Sequence, residues 1–356
     1  MRVDCRDVKL WNSAHSRFRN CGISGTHIES TNSRGVVAIH GGHAVTPDDI
    51  ERALESAEAI AVPQNREIIH AIPRGYTLDG QEGVKDPLGM IGFRLEVEAH
   101  IATGAVPPIQ NLIKAAQTSG LPVSELVFNP IASGDAVLTS AEKEMGVILA
   151  DIGGGTTDIA VFIDGGVWHT NVLPIGGLNV TNDLAVGLRI PFHAAEEIKI
   201  IHGRMDVNTI TDEEMLDVAA FGEEGHRPIA RKLMAEIIHA RIEEILQLIL
   251  AEIKRTGYEK MLPAGVVLCG GTAELPGLRA IARDVFQMPV RIGMPSAMEG
   301  FVDRVSSPAF ATAIGLLLWG FENGSVAENG ITRSKRENPS PLAGVLGWAK
   351  RAFLPG

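Results

Sequence analysis

Cysteine is rare in this chain of 356 residues, and extended apolar segments are missing from it. The three cysteines, Cys5, Cys21 and Cys269, are odd in number and widely scattered, which argues against a disulfide framework and against a zinc site. No run of about 18 or more apolar residues occurs, so the sequence predicts no transmembrane helix. The first residues lack the apolar core of a signal peptide. Together these absences predict a protein of the cytoplasm.

Positive charge is also in deficit. The chain has 32 basic and 43 acidic side chains, which give a formal net charge of −11. A general nucleic-acid surface needs clustered positive charge, so we expect no nucleic-acid partner. The hydrophobic fraction of 45% excludes a disordered chain, and the length leaves room for about two to four lobes.

Three consecutive glycines mark the most informative segment. Residues 151–158 have the sequence DIGGGTTD and lie between two apolar, β-branched runs. Such runs predict buried strands, so the glycines fall at the tip of a hairpin. Because Gly153, Gly154 and Gly155 have no side chains, their backbone N–H groups can surround an anion. The carboxylate of Asp151 is a candidate ligand for a hydrated Mg²⁺. An ordinary glycine-rich turn has the same pattern, so this segment alone decides nothing.

A second strand and turn lie downstream, at residues 264–278. An apolar strand there leads into the turn Gly270-Gly271-Thr272, which again brings bare backbone close to a ligand. Pro276 predicts the first turn of the following helix, where proline is favoured. Two matching turns of this kind are a stronger signal than one.

Between the two turns, Glu196 and Lys199 lie three positions apart on a predicted helix and therefore on one face. In this order the three motifs resemble the actin-like ATPase superfamily, whose fold is a two-lobed, ribonuclease H-like α/β fold. The resemblance implies that ATP and Mg²⁺ are the cofactors and that the first turn holds the β- and γ-phosphates. It also implies that the second turn packs on the adenosine, that the helical face borders the ribose and base, and that Asp151 faces the metal. The implied nucleotide-site residues are Asp151, Gly153, Gly154, Gly155, Thr156, Thr157, Glu196, Lys199, Gly270, Gly271 and Thr272.

From about residue 22 to about residue 320, and again at its extreme C-terminus, the chain is similar to the FtsA family of bacterial cell-division proteins. The segments that resemble the family's inserted subdomain are residues 34–39, 46–50, 65–73, 83–90 and 94–101. These matches are more discriminating than the nucleotide motifs, which chaperones and sugar kinases share. The resemblance implies an adaptor that polymerises, anchors the tubulin-like protein FtsZ to the cytoplasmic membrane at the division site, recruits later division proteins and hydrolyses ATP weakly at most.

Pattern and composition, together with the family resemblance, divide the chain into seven segments. They are an atypical N-terminal segment (1–21), a remnant of the N-terminal actin-like lobe (22–34), the inserted subdomain (35–104), the remainder of the N-terminal lobe (105–145), the C-terminal actin-like lobe (146–320), a flexible linker (321–340) and an amphipathic helix (341–356). We predict a helix capped by Thr46 and a long helix from about Pro228 to Thr256 with one apolar face. The polar, turn-rich linker cannot bury enough surface to order itself.

The N-terminal lobe is predicted to be incomplete. In the actin-like superfamily a first phosphate loop, an Asp-x-Gly-Thr/Ser hairpin, precedes the region that matches here, and residues 1–21 contain no such motif. A wrong start or a frameshift explains this, and we favour it because the remaining chain is consistent in pattern, caps and turns. The alternative is a divergent relative that has lost half of its phosphate clamp. Either explanation predicts weak ATP binding, or none, by the chain as written.

The C-terminal segment has the pattern of a helix that lies in a membrane interface. On a helical wheel its apolar residues share one narrow face, Trp348 flanks that face, and basic residues lie to the other side. The alternative is a helix that packs on the protein's own surface, but the linker and the family resemblance favour the membrane. The predicted membrane-binding residues are Leu342, Val345, Leu346, Trp348, Phe353, Lys350 and Arg351.

Three basic residues on the long helix are candidates for a partner site. In the FtsA family the lobe around this helix meets the tail peptide of FtsZ, and Arg231, Lys232 and Arg241 could receive an acidic peptide. A solvated surface charge is an equally good interpretation of each of these residues.

A sugar kinase or a pilus-assembly protein of FtsA-like fold remains an alternative function, although neither is expected to end in a tethered amphipathic helix. No catalytic residue is assigned; Asn129, Ser133 and Asp135 are the candidates for orienting an attacking water, and Asp135 is the most plausible base by residue type.

Overall fold

The computed structural model describes residues 20–221, 225–295 and 305–324. The predicted N-terminal segment up to residue 19, most of the predicted linker and the predicted amphipathic helix at 341–356 therefore lie outside the described residues. Within the described ranges, no helix combines the length and the apolar character that crossing a bilayer requires.

An antiparallel sheet with one helix against it occupies the region predicted as the inserted subdomain. Its elements are β2 (Ile28–Ala38), α1 (Pro47–Ala61), β3 (Arg66–Leu78), β4 (Gln81–Val84) and β5 (Arg94–Ala105), and the strand order is β2-β5-β3-β4. Helix α1 begins where the sequence predicts, because Thr46 and Asp49 form a reciprocal capping box and Pro47 fills the first turn.

Strand β2 crosses the predicted boundary between the segments 22–34 and 35–104. It pairs with β5 along its whole length, from Ile28 opposite Gly104 to Ala38 opposite Arg94. A Cβ on Gly35 would overlap the backbone carbonyl of Ala53 in α1. Glycine at this position therefore lets the helix pack directly on the middle of the strand.

The rest of the N-terminal lobe is a small parallel pair of strands surrounded by helices. Its elements are β1 (Asn20–Ile23), α2 (Val106–Thr118), β6 (Glu125–Phe128), α3 (Asn129–Val137), α4 (Ser140–Met145) and α9 (Ala311–Gly324). Strand β1 pairs in parallel with β6, and α9 packs against α3. Residues 321–324, predicted to begin the linker, instead continue helix α9, whose Trp319 is buried in the core of this lobe.

The C-terminal lobe is a five-stranded sheet covered by helices. Its elements are β7 (Val147–Ile152), β8 (Thr157–Ile163), β9 (Gly166–Leu173), α5 (Gly177–Leu188), α6 (Phe192–His202), α7 (Arg231–Thr256), β12 (Val266–Cys269), α8 (Leu278–Phe286) and β13 (Val290–Ile292). The strand order is β13-β12-β7-β8-β9. Strands β7 and β8 are buried at every position, as their continuous apolar runs predict.

Helix α7 begins three residues later than the sequence predicts. Residues His226–Ala230 form strand β11, which pairs with β10 (Met215–Ala219), so Pro228 lies in a hairpin rather than in the helix. The predicted apolar face is confirmed, since Ile238, Ile242 and Ile249 are completely buried in the core of the C-terminal lobe.

Candidate functional site

One cavity of about 430 Å³ collects residues from all three sequence motifs. It lies where the β7–β8 turn, the start of α5, helix α6 and the turn after β12 meet. The predicted residues that line it are Gly153, Gly154, Glu196, Lys199, Gly271 and Thr272. Segments about 120 residues apart in the chain therefore form one site.

The β7–β8 turn presents unpaired backbone donors. Gly153 N–H donates to the Thr156 carbonyl at 2.9 Å and closes the turn. Among the described residues, the N–H groups of Gly154, Gly155 and Thr156 donate to no protein acceptor. Adjacent unpaired amides in a turn form an anion-binding concavity, so this turn is able to bind a phosphate group.

The N-terminus of α5 fixes the turn from behind. Gly177 N–H donates to the Gly153 carbonyl at 2.9 Å, and Leu178 N–H donates to the Gly154 carbonyl at 2.8 Å. A Cβ on Gly176 would lie 2.7 Å from both carbonyl oxygens. The turn is therefore held in place through its carbonyl groups. The N–H groups of the turn take no part in these bonds and remain available to a ligand.

The turn after β12 is attached to the same backbone. Thr272 Oγ1 donates to the Gly153 carbonyl at 3.0 Å. Gly270 has a φ of 85°, and a Cβ there would overlap the Asp151 carboxylate, so only glycine is accommodated. The prediction that Pro276 opens the next helix is wrong, because Gly277 has a φ of 95° and α8 begins after it, at Leu278.

Glu196 and Lys199 meet on the inner face of α6. Lys199 Nζ lies 2.7 Å from Glu196 Oε2, and it also donates to Thr181 Oγ1 at 2.8 Å and to the Gly177 carbonyl at 3.1 Å. An ammonium group has three N–H donors, so all of them are used within the protein. Glu196 lines the cavity, and its Oε1 accepts no hydrogen bond from the described residues.

The cavity lining does not include five of the predicted residues, which are Asp151, Gly155, Thr156, Thr157 and Gly270. The Thr157 hydroxyl is buried and donates to the Ile175 carbonyl at 2.8 Å, so it holds the end of β8. Asp151 is 7% exposed, and its Oδ2 accepts hydrogen bonds from Ser133 at 2.6 Å and from Thr312 at 2.9 Å. Asp151 therefore connects the C-terminal lobe with α3 and α9 of the N-terminal lobe.

A second carboxylate lies opposite Asp151 in the β7–β8 register. The pKa of Asp158 is raised to about 7, chiefly by burial; a hydrogen bond from Ser24 opposes this shift, and the negative charge of Asp151 contributes to it. Asp158 is the last residue of the DIGGGTTD segment, but nothing in the sequence alone indicates that its side chain meets Ser24. That contact depends on the long-range packing of β1 beside the hairpin.

The candidates for orienting an attacking water are occupied in different ways. The Ser133 hydroxyl bonds to Asp151, and Asp135 is buried in an ion pair with Lys143 at 2.8 Å. A carboxylate held by a lysine is a weak general base, so the preference for Asp135 by residue type is not supported. Asn129 Oδ1 is buried and accepts no hydrogen bond from the described residues.

The three basic partner candidates on α7 are partly buried and paired with acidic residues of this chain. Arg231 pairs with Glu214 at 2.8 Å, and Lys232 pairs with Asp212 at 2.6 Å. The Arg241 guanidinium binds both carboxylate oxygens of Asp183, at 2.5 and 3.0 Å. Each of these residues is therefore already paired within the protein, and the acidic partners, which lie 17 to 58 positions away in the chain, give no local signal in the sequence.

Comparison with protein families places this site in a known group. A model of cell division protein FtsA matches residues 148–315, and a model of the SHS2 domain inserted in FtsA matches residues 25–103. The cell division protein FtsA of Pseudomonas aeruginosa is 43% identical over 338 residues, covering 95% of this chain and 80% of that protein. The protein of the same name from Escherichia coli K12 is 37% identical, covering 92% and 78%. The chain belongs to the FtsA family of cell-division proteins.

Solved structures confirm the predicted actin-like fold. A chain of the PilM–PilN type IV pilus biogenesis complex superposes with a TM-score of 0.63 at 18% identity, over 89% of this chain and 84% of that one. MreB5 of Spiroplasma citri bound to ADP gives a TM-score of 0.50 at 18% identity, over 62% and 67%. At these identities the likeness concerns the fold only, whereas the FtsA matches favour a division protein over a sugar kinase or a pilus-assembly protein.

Proposed function

We propose that this FtsA-family chain is a nucleotide-binding adaptor that polymerises, attaches FtsZ to the cytoplasmic face of the membrane at the division site, and recruits later division proteins through the inserted sheet. The observation that carries the nucleotide part is the cavity in which all three motifs meet. The unpaired amides of the adjoining β7–β8 turn suit phosphate, and the Gly271–Thr272 turn and the α6 face of the cavity suit a nucleoside. Fold likeness to an ADP-bound protein is consistent with this assignment.

ATP is the proposed ligand, with Mg²⁺ beside its phosphates. The β7–β8 turn would bind the phosphates through the amides of Gly154, Gly155 and Thr156. Mg²⁺ is commonly held by one or two carboxylates together with phosphates and water. The buried Asp151 carboxylate, whose Oδ2 is fixed by two hydroxyl donors, fits the part of a carboxylate that faces the hydrated ion. We propose at most weak hydrolysis, because Ser133 and Asp135 are engaged by other side chains.

Replacing Gly154 with valine tests the phosphate assignment. A Cβ at this position lies 3.6 Å from the nearest atom, Leu178 Cγ, so the fold tolerates it. The branched side chain would nevertheless occupy the anion site, and we expect ATP affinity to fall at least tenfold, since losing one charge-assisted hydrogen bond costs about 1.5–3 kcal/mol. Titration calorimetry at high protein concentration measures this.

The matched control is Gly75→Val, because a Cβ on Gly75 in β3 meets no atom within 4 Å. This variant should bind ATP like the parent. Equal ATP affinity of Gly154→Val and the parent would remove the β7–β8 turn from the site.

Membrane attachment is proposed for the segment 341–356, which lies outside the described residues. The support is its amphipathic pattern, with Leu342, Val345, Leu346 and Phe353 on one side, Trp348 at the edge, and Lys350 and Arg351 beside it. A single copy is expected to bind reversibly, and several copies on a polymer would bind firmly.

For FtsZ we propose a site on the first half of α7. An acidic peptide would have to compete with Asp183, Asp212 and Glu214 for Arg241, Lys232 and Arg231. Charge reversal in Arg241→Glu should weaken binding of an acidic FtsZ tail peptide about tenfold or less at low salt, and by a smaller factor at high salt, because salt screens the parent contact. Fluorescence anisotropy of a labelled peptide measures the effect.

Lys254→Glu is the control for this experiment. Lys254 is exposed on the last turn of the same helix, so its reversal changes the net charge equally but lies at the other end. If both variants weaken the peptide equally, the effect is one of total charge and Arg241 is not in the site.

A further inference from the structure

We propose that Thr181 is a positioning residue that, together with Lys199, fixes Glu196 as a specificity determinant for the ribose of the bound nucleotide. The proposal rests on the proposed nucleotide-binding function. Thr181 is absent from the three sequence motifs and lies on α5, one turn after Gly177.

The Thr181 hydroxyl is the centre of a closed polar network. Thr181 is completely buried, and its Oγ1 donates to Glu196 Oε2 and accepts from Lys199 Nζ. The same hydroxyl lies 3.1 Å from the Gly177 carbonyl, to which Lys199 also donates. A buried hydroxyl with this many partners restrains both α6 side chains relative to α5.

The network decides which atom is available to a ligand. All three Lys199 donors are engaged, and the Lys199 side chain is only 11% exposed. Glu196 Oε2 is engaged twice, by Thr181 and by Lys199. The atom left for the cavity is Glu196 Oε1, an acceptor on a side chain that is 35% exposed.

A fixed carboxylate oxygen recognises a hydroxyl donor. Adenine offers an amino donor as well, but the ribose hydroxyls are the groups that differ between ATP and its deoxy analogues. Lys199, whose three donors are engaged within the protein, therefore acts on the ligand through Glu196. The same network continues through Gly177 N–H and the Gly153 carbonyl to the phosphate turn, which connects the two ends of the cavity.

The test compares ATP with 2′-deoxy-ATP and 3′-deoxy-ATP for the whole chain and for Thr181→Val, Thr181→Ser and Thr170→Val. We expect the parent to bind ATP at least tenfold more tightly than one of the deoxy analogues, because a hydrogen bond to a charged group is lost. Thr181→Val should reduce this ratio to about one, whereas Thr181→Ser keeps the hydroxyl and should keep the ratio. Thr170→Val removes another buried hydroxyl, bonded to His100 at 2.9 Å, and should leave the ratio unchanged.

A second readout does not need a nucleotide. Nitrogen-15 spectra of the ammonium group of Lys199 should show slow proton exchange in the parent, because all three N–H donors are bonded, and fast exchange in Thr181→Val. An unchanged ATP preference together with slow exchange in Thr181→Val would overturn the proposal. If the parent binds no adenine nucleotide, the proposed nucleotide function fails, and the exchange rates alone decide whether Thr181 holds Lys199.

Discussion

A chain that ends at residue 340 is expected to stay folded and to lose its sedimentation with anionic vesicles. Half-burying the apolar side chains of segment 341–356 contributes roughly 5 kcal/mol, and Lys350 and Arg351 add about 1 kcal/mol each near anionic lipid. The cost of ordering the segment opposes much of this. The net free energy of membrane binding is therefore small and comes from this segment alone. Removing the segment should abolish binding to the vesicles.

Single substitutions in the tail separate the apolar from the electrostatic contribution. Phe353→Glu or Trp348→Glu should release the protein nearly as completely as truncation, because a charge on the apolar face must remain hydrated. Replacing Lys350 and Arg351 with alanine should weaken binding chiefly to anionic vesicles and chiefly at low salt. A truncated chain that still sediments would refute the anchor. A melting temperature several degrees lower after truncation would mean that the tail packs on the body instead.

Local signals in the sequence predict most of the elements around the cavity. The capping box at Thr46, the buried strands on both sides of the triple glycine, and the apolar face of α7 each depend on neighbours within a few residues. The structure has all three, because no distant contact competes with the local preference.

Features that depend on distant residues have no local signal in the sequence. The segment at Pro228 predicts the start of a helix, because the pairing of β11 with β10 cannot be seen in that segment alone. The sequence predicts Arg241 as a candidate contact for an acidic peptide, and nothing near it in the chain indicates that Asp183, 58 positions earlier, binds its guanidinium. Thr181 carries no motif and becomes important only when α5 and α6 come together. In the candidate site, the sequence pattern therefore indicates which segments meet. Long-range packing determines which of their atoms are engaged within the protein and which remain available to a ligand.

Gly315→Ala is expected to destabilise the protein markedly, although it adds a single methyl group. Gly315 lies on α9, and a Cβ there would overlap the backbone carbonyl of Ala132 in α3 and lie 2.9 Å from its Cα. A backbone group of a buried helix cannot rotate away as a side chain does, so the two helices must separate. Overpacking of this kind costs about 1–3 kcal/mol or more, although alanine has the higher helix propensity by about 1 kcal/mol.

Separation of α9 from α3 also changes the site. Helix α9 carries Thr312, whose hydroxyl donates to Asp151 Oδ2 at 2.9 Å. We therefore expect Gly315→Ala to lower the melting temperature by about 5 °C and to weaken ATP binding as well. Gly187→Ala in α5 is the control, because its Cβ would meet only the flexible Ile237 Cδ1, at 3.0 Å; its stability should equal or exceed that of the parent. Calorimetry measures the melting temperatures of both variants. If Gly315→Ala is as stable as Gly187→Ala, α9 does not pack against α3 in this way.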